Sequence, residues 1–249
     1  MAVQVFQNAA CNWRCWYCFV DFKLLAASRA HSDFLSAEEL VEKYLQVEDR
    51  PSVIDLSGGQ PDLVPEWVLW MLQALEDRGL DRKVLLWSDD NLSNDYFWRY
   101  LDADQIAYIA SRRNYARVCC FKGFDEASFS FNTQADPALF KEQFTLFKRL
   151  LASGIDLYAY ATLTGPDPSG VNKRVREFLD ALQSIHPNLP LRTIPLEIKA
   201  FSPVIQRMKT IPEEIFHTQR EAIVAWNSEL AARFSETERQ KNVCDVSIR

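Results

Sequence analysis

The chain has 249 residues, 48% of them apolar and 25% charged, the balance of an ordinary globular fold with one sizeable core. A formal charge of −6 gives a mildly acidic surface, which argues against a nucleic-acid groove or an anchor on an anionic membrane as the main business. The first residues lack the basic stretch of a secretory signal, no apolar run is long enough to cross a bilayer, and six cysteines with three of them clustered do not make a secreted disulfide framework, so a reducing, cytoplasmic location is expected.

Residues 3–6 form a short apolar segment that reads as a first strand, and Cys11, Cys15 and Cys18 follow it in a C-x3-C-x2-C frame. Ser36-Ala37-Glu38-Glu39 is a capping box, with Leu40, Val41, Tyr44 and Leu45 at helical spacing behind it. Residues 53–57 are strand-like and end in Gly58-Gly59; Pro65 opens a helical run over 67–75 that Gly79 closes. Residues 84–87 make a third strand, followed by a polar turn at Ser88-Asp89-Asp90-Asn91 and by helical material over 94–109 with a break near Asp102. Residues 118–121 give a fourth strand, 137–151 a helix ended at Gly154, and 155–163 a fifth strand. A helix over 171–185, a strand over 191–199 interrupted by Pro195, and a long helix over 212–234 complete the pattern, with loops at 21–33, 125–136 and 165–170.

Six strands alternating with six helices predict βαβ units, a parallel sheet and an α/β fold. One domain over residues 1–235 is expected, with 236–249 as a C-terminal tail. In such sheets ligands bind at the carboxyl ends of the strands, where the three cysteines, Gly58-Gly59-Gln60, Ser88-Asp89, Lys122 and Glu197 all fall.

Three thiolates on a loop after a strand suit three irons of an iron-sulfur cube, leaving the fourth iron open to bind and activate something. Structural zinc is the alternative; it takes four ligands, and His31 or Cys244 would have to complete the set although neither stands in a C-x2-C or H-x3-H frame. Cys119 and Cys120 lie inside an apolar strand and read as core or barrel-lining thiols. His31, His186 and His217 support no Ser-His-Asp or metal constellation.

The stretch Cys11-Asn12-Trp13-Arg14-Cys15-Trp16-Tyr17-Cys18 resembles the C-x3-C-x-aromatic-C signature of the radical S-adenosylmethionine (radical SAM) superfamily, and Ser57-Gly58-Gly59-Gln60-Pro61 resembles its GGE-P loop. The resemblance covers nearly the whole chain and implies a six-stranded (βα)6 partial TIM-type barrel. It further implies a 4Fe-4S cluster on Cys11, Cys15 and Cys18, with S-adenosyl-L-methionine chelating the open iron, Tyr17 beside the adenine, and Gly58, Gly59, Gln60 and Pro61 at the methionyl amine. Gln60 departs from the family's usual Glu but keeps a carbonyl acceptor. Similarity to the shorter glycyl-radical activating enzymes adds Ser88 and Asp89 as ribose and amine contacts and Lys122 at the methionyl end. It also adds Thr162 on the fifth strand and Glu197, which stands where some members have His.

The resemblance implies reductive cleavage of S-adenosylmethionine to methionine and a 5'-deoxyadenosyl radical that abstracts hydrogen from a substrate, with flavodoxin or ferredoxin as electron donor. With no room for a separate recognition, auxiliary-cluster or cobalamin domain, a peptide or protein closing the barrel is the favoured substrate, and a small metabolite or nucleotide is the alternative. A two-cysteine methyltransferase is disfavoured, although Cys119 and Cys120 supply further thiols. From another class, the chain would be a redox sensor or scaffold that holds a cluster without turnover. No nucleic-acid or membrane partner is expected.

Overall fold

The computed structural model describes residues 2–248. Its strands are β1 (Gln4–Gln7), β2 (Val53–Ser57), β3 (Leu85–Asp90), β4 (Tyr115–Phe121), β5 (Leu157–Thr162) and β6 (Thr193–Leu196). They form one all-parallel sheet in sequence order with β1 and β6 at its edges, the α/β, open-barrel arrangement that the alternation predicts. The α-helices are α1 (Ala37–Leu45), α2 (Glu66–Asp77), α3 (Tyr96–Tyr100), α4 (Ala103–Ser111), α5 (Glu126–Thr133), α6 (Phe140–Ala152), α7 (Val171–Ile185), α8 (Ser202–Met208), α9 (Glu214–Arg233) and α10 (Glu236–Arg239). The chain packs as two compact units interleaved in sequence, the first comprising the residues up to Asn12, Val20–Cys119 and Arg149–Leu157, the second the remainder.

In the first unit, α1 begins at the expected capping box: the Ser36 hydroxyl accepts from the Glu39 amide at 3.2 Å and the Glu39 carboxylate accepts from the Ser36 amide at 2.7 Å. The strand β3 is longer than its apolar core. Ser88, Asp89 and Asp90, which read as a turn, are its last three residues and register against Arg117, Val118 and Cys119 of β4. Their polar side chains stay in the ladder because buried partners satisfy them. The Ser88 hydroxyl is 2.8 Å from the Tyr115 hydroxyl. The fully buried Arg117 guanidinium donates to Asp62 at 2.8 Å, to Asp90 at 3.2 Å and to the Tyr115 hydroxyl at 3.0 Å, and it lies 4.7 Å from the centre of the Phe97 ring. Burial opposes its charge, but Asp62, Tyr115 and Asp90 outweigh that effect and hold the guanidinium well above its ordinary range, so it stays ionised.

In the second unit, Val175, Phe178, Leu179 and Leu182 of α7 recur at helical spacing and are buried, with Phe178 6.2 Å from Trp226 of α9 between ring centres. Each such side chain contributes about 1.5–3 kcal/mol on burial. The strand expected over 191–199 is confined to β6, and helices form where none was expected, among them α8. Residues 125–136 carry α5 instead of a loop: the Asp125 carboxylate caps the Ser128 amide at 2.6 Å, and Phe129 and Asn132 are buried. Its sequence, EASFSFNT, alternates like a strand and lacks an apolar stripe, so the cap and the tertiary burial decide the outcome. Among residues 236–248, α10 is followed by a segment that packs back on the chain. Val246 and Ile248 are buried, and Arg192 donates to the carbonyl oxygens of Val243, Cys244 and Val246 at 3.1, 3.0 and 2.8 Å.

Replacing Arg117 by Met leaves Asp62 and Asp90 buried beside each other without a counter-charge. The expected loss is about 3–5 kcal/mol of folding stability, read from the denaturant midpoint. Simultaneous Asp62→Asn and Asp90→Asn substitutions should recover part of it.

Candidate functional site

The three cysteines follow β1 directly; none is in a disulfide and all are partly exposed, whereas Cys119 and Cys120 are buried in β4. The chain crosses from the first unit to the second between Asn12 and Trp13, so Cys11 is held in one and Cys15 and Cys18 in the other.

On the side of the first unit, the segment before Cys11 is fastened to the loop after β2. The Gln60 amide donates to the Ala10 carbonyl at 2.8 Å, the Asn8 side-chain amide donates to the Gln60 carbonyl at 2.8 Å, and Asn8 Oδ1 accepts from the Ala10 amide at 2.9 Å. The glycines are required by this docking. Gly58 has φ +86°, and a Cβ on Gly59 would stand 2.1 Å from the Ala10 carbonyl oxygen and 2.5 Å from that of Asn8. Gly58-Gly59 therefore positions the cysteine loop, a role independent of any ligand.

The side chain of Gln60 is only 1% exposed and fully engaged: Nε2 donates to Asp90 at 3.0 Å and Oε1 accepts from the Asn91 amide at 2.9 Å. An amide is needed here, because a carboxylate could not donate to Asp90. Pro61 is buried at the start of the short 3-10 turn Pro61–Leu63. Ser88 and Asp89 point to opposite faces of β3. Ser88 is turned to Tyr115, while the Asp89 carboxylate accepts from the Ser57 hydroxyl. Asp55 lies one strand across from Asp89 on that second face. Burial first, and then the neighbouring Asp89 charge, push its carboxyl up to about 7. Its Oδ1 has no hydrogen-bond partner among the described residues.

In the second unit, Cys15 and Cys18 bracket a tight turn in which the Cys18 amide donates to the Cys15 carbonyl at 3.0 Å. The loop is seated on the C-terminal end of α5. The orphan carbonyls of Thr133 and Asn132 accept from the Arg14 and Trp16 amides at 3.3 and 3.2 Å, and Asn132 Oδ1 accepts from the Trp16 indole at 2.9 Å. Asn132 is buried and also donates to the carbonyls of Lys122 and Thr164, at 2.9 and 3.0 Å. Asn132 and α5 were invisible to motif reading. Their one sequence signal was the cap Asp125-x-x-Ser128.

Trp16 and Tyr17 are buried with Val204 and Ile215 in an apolar cluster against which Cys15 packs. The Tyr17 hydroxyl is 2.9 Å from the Thr162 hydroxyl, and the Lys122 ammonium stands 6.0 Å from the Tyr17 ring centre, so three of the expected contact residues meet. Burial pushes the Tyr17 phenol far above its ordinary range and keeps it neutral. Arg207 of α8 donates to the Cys18 carbonyl. Glu197, by contrast, is an exposed residue ion-paired with Lys199 at 3.1 Å.

Among the described residues no three His, Cys, Asp or Glu side chains converge as ligands of one ion. Thiolates that each take a different iron of a cube need not converge, and three accessible sulfurs on a loop fixed at both flanks are a donor set that fits an iron-sulfur cluster. Among the described residues no helix is long and apolar enough to cross a membrane.

No family model and no curated relative matches the sequence. The fold is similar to that of SuiB from Streptococcus suis bound to precursor peptide SuiA, at 16% identity, covering 74% of this chain and 36% of that one, with TM-score 0.52. It is similar to anSMEcpe with bound AdoMet at 12% identity, 80% and 52% coverage and TM-score 0.54, and to anSMEcpe with AdoMet and the Cp18Cys peptide at 12%, 80% and 51%, with TM-score 0.53. These neighbours are radical SAM enzymes, and what the chain shares with them at such identities is the fold. The chain spans between 36% and 52% of their length.

Two measurements test this description. Gly59→Ala is expected to cost about 1–3 kcal/mol, as overpacking against backbone does, seen as a lower urea midpoint; an unchanged midpoint would show that the segment before Cys11 is not docked there. For Asp55, the raised carboxyl means that the folded state binds the proton more tightly than the unfolded chain. Its stabilising contribution is full below the ordinary carboxylate range and is lost as pH rises through about 7. Urea midpoints between pH 5 and 8.5 should fall less steeply with pH for Asp55→Asn than for the parent.

Proposed function

We propose that this chain is a radical SAM enzyme in which Cys11, Cys15 and Cys18 hold a 4Fe-4S cluster. When bound, that cluster supplies the single electron with which S-adenosyl-L-methionine is cleaved to methionine and a 5'-deoxyadenosyl radical, the hydrogen-abstracting species. The observation that carries the reading is the trio of partly exposed thiols on the loop after β1, in a fold that the radical SAM enzymes SuiB and anSMEcpe share.

The chain's own residues have definable tasks. The docking of Gly59 and Gln60 onto Asn8 and Ala10 fixes the approach to Cys11. The hydrogen bonds from Arg14 and Trp16 to the end of α5 fix the approach to Cys15. Cys15 packs against the apolar cluster of Trp16, Tyr17, Val204 and Ile215, a water-poor flank that suits a cluster that must reach low potential and a radical that must not be quenched. Lys122 offers a cation for the methionyl end of S-adenosylmethionine, and Tyr17, its hydroxyl held by Thr162, offers its ring to the adenine. A soluble flavodoxin or ferredoxin is the electron donor in this reading, and the cytoplasm its location.

A peptide or protein is the substrate favoured. The support is that SuiB and anSMEcpe have been seen with the peptides SuiA and Cp18Cys.

Anaerobic reconstitution with iron and sulfide should give the absorption and, after reduction, the EPR signal of a 4Fe-4S cluster. Addition of dithionite and S-adenosylmethionine should then release 5'-deoxyadenosine and methionine. Cys15→Ala should abolish both cluster and cleavage. A complete cluster without cleavage would overturn the enzyme reading in favour of a redox sensor or scaffold.

A further inference from the structure

Asn91 directly follows β3. Asn91 is 6% exposed, and its side-chain Nδ2 lies 3.8 Å from the sulfur of Cys11 and 3.1 Å from Oδ1 of Asn12. Asn12 Nδ2 donates to the Ser93 hydroxyl at 2.7 Å and Asn12 Oδ1 accepts from Asn91, so in this arrangement Asn91 presents its NH2 group to Asn12 and Cys11. That choice leaves Asn91 Oδ1 buried without a partner among the described residues. A buried carbonyl without a partner costs stability.

The backbone is held just as firmly. The Asn91 amide donates to Gln60 Oε1 at 2.9 Å, Gln60 Nε2 donates to Asp90 at 3.0 Å, and Asp90 is paired with Arg117. Leu92, the next residue, is a buried non-glycine at φ +55°, a conformation that persists only where its surroundings impose it, and its amide donates to Asp90 at 2.8 Å. A relay of Arg117, Asp90, Gln60 and Asn91 thus aims an N–H at the first cysteine. It also accounts for Gln60 in place of the usual Glu of the similar motif, since a carboxylate would repel Asp90 and break the relay.

We propose that Asn91 is a tuning residue for the cluster, donating an N–H···S hydrogen bond to the Cys11 thiolate that stabilises the reduced state. The proposal rests on the cluster assignment above. Hydrogen bonds to ligand sulfurs raise the potential of iron-sulfur clusters, because they offset the negative charge that the incoming electron adds. The electron itself comes from the external one-electron donor, and no bond is made or broken at Asn91.

The test compares the parent with Asn91→Leu, which keeps the volume and removes the donor, and with Asn91→Asp, which keeps the shape and adds a charge. Each is reconstituted anaerobically, its iron content and thermal midpoint are recorded, and its cluster is titrated with redox dyes under EPR observation. Both variants should hold the cluster at a potential more negative than the parent's, Asn91→Asp the more so, with altered iron–thiolate stretching bands in resonance Raman spectra. An unchanged potential in Asn91→Leu would overturn this proposal alone. Loss of the fold in both variants would overturn it in favour of a structural role, and failure of the parent to take up a cluster would overturn it together with the functional reading.

Discussion

The buried guanidinium of Arg117 is the constraint from which the organisation of the first unit follows. A positive charge in that position needs both Asp62 and Asp90, and the two carboxylates would be unstable there without it. Because Asp90 is committed on one side to Arg117, its other oxygen is available to orient Gln60 and Leu92. The end of β3 and the loop after β2 therefore lock together. Tyr115 and Ser88 belong to the same network, which is why polar residues extend β3 where the apolar pattern stops.

The cysteine loop is held largely by backbone groups, with the Trp16 indole adding a bond to Asn132. Ahead of Cys11, peptide groups of residues 8–10 meet those of residues 59–60 at distances only glycine permits. Ahead of Cys15, the loop satisfies carbonyls that the last turn of α5 would otherwise leave unpaired. The three thiols themselves are partly exposed. The buried Tyr17, neutral and hydroxyl-bonded to Thr162, closes one wall of the loop with Trp16.

Much of this was legible in the residue order. The strand 53–57, the helix 171–185 and the capping box at Ser36 appear where local pattern puts them, because each combines a clear apolar period with a start or stop signal. Cys11, Cys15 and Cys18 announce themselves by spacing. What local pattern missed was decided by partners distant in sequence. The polar end of β3 depends on β4, the helix α5 on burial of Phe129 and Asn132, and the placing of residues 243–246 on Arg192. Only the fold shows that Gln60 bonds Asp90 and the Asn91 amide, that Ser88 faces Tyr115 and that Glu197 pairs with Lys199.

By itself, then, the sequence determined the order of the six strands, the parallel α/β class and the spacing of the three sulfurs, since these follow from short-range periodicity and fixed spacing. Only the tertiary structure decided which polar side chains serve the scaffold and which face the thiols. That assignment depends on where buried hydrogen-bond donors and charges find partners, and the partners of Cys11, Gln60 and Asp90 lie 27 to 80 residues away along the chain.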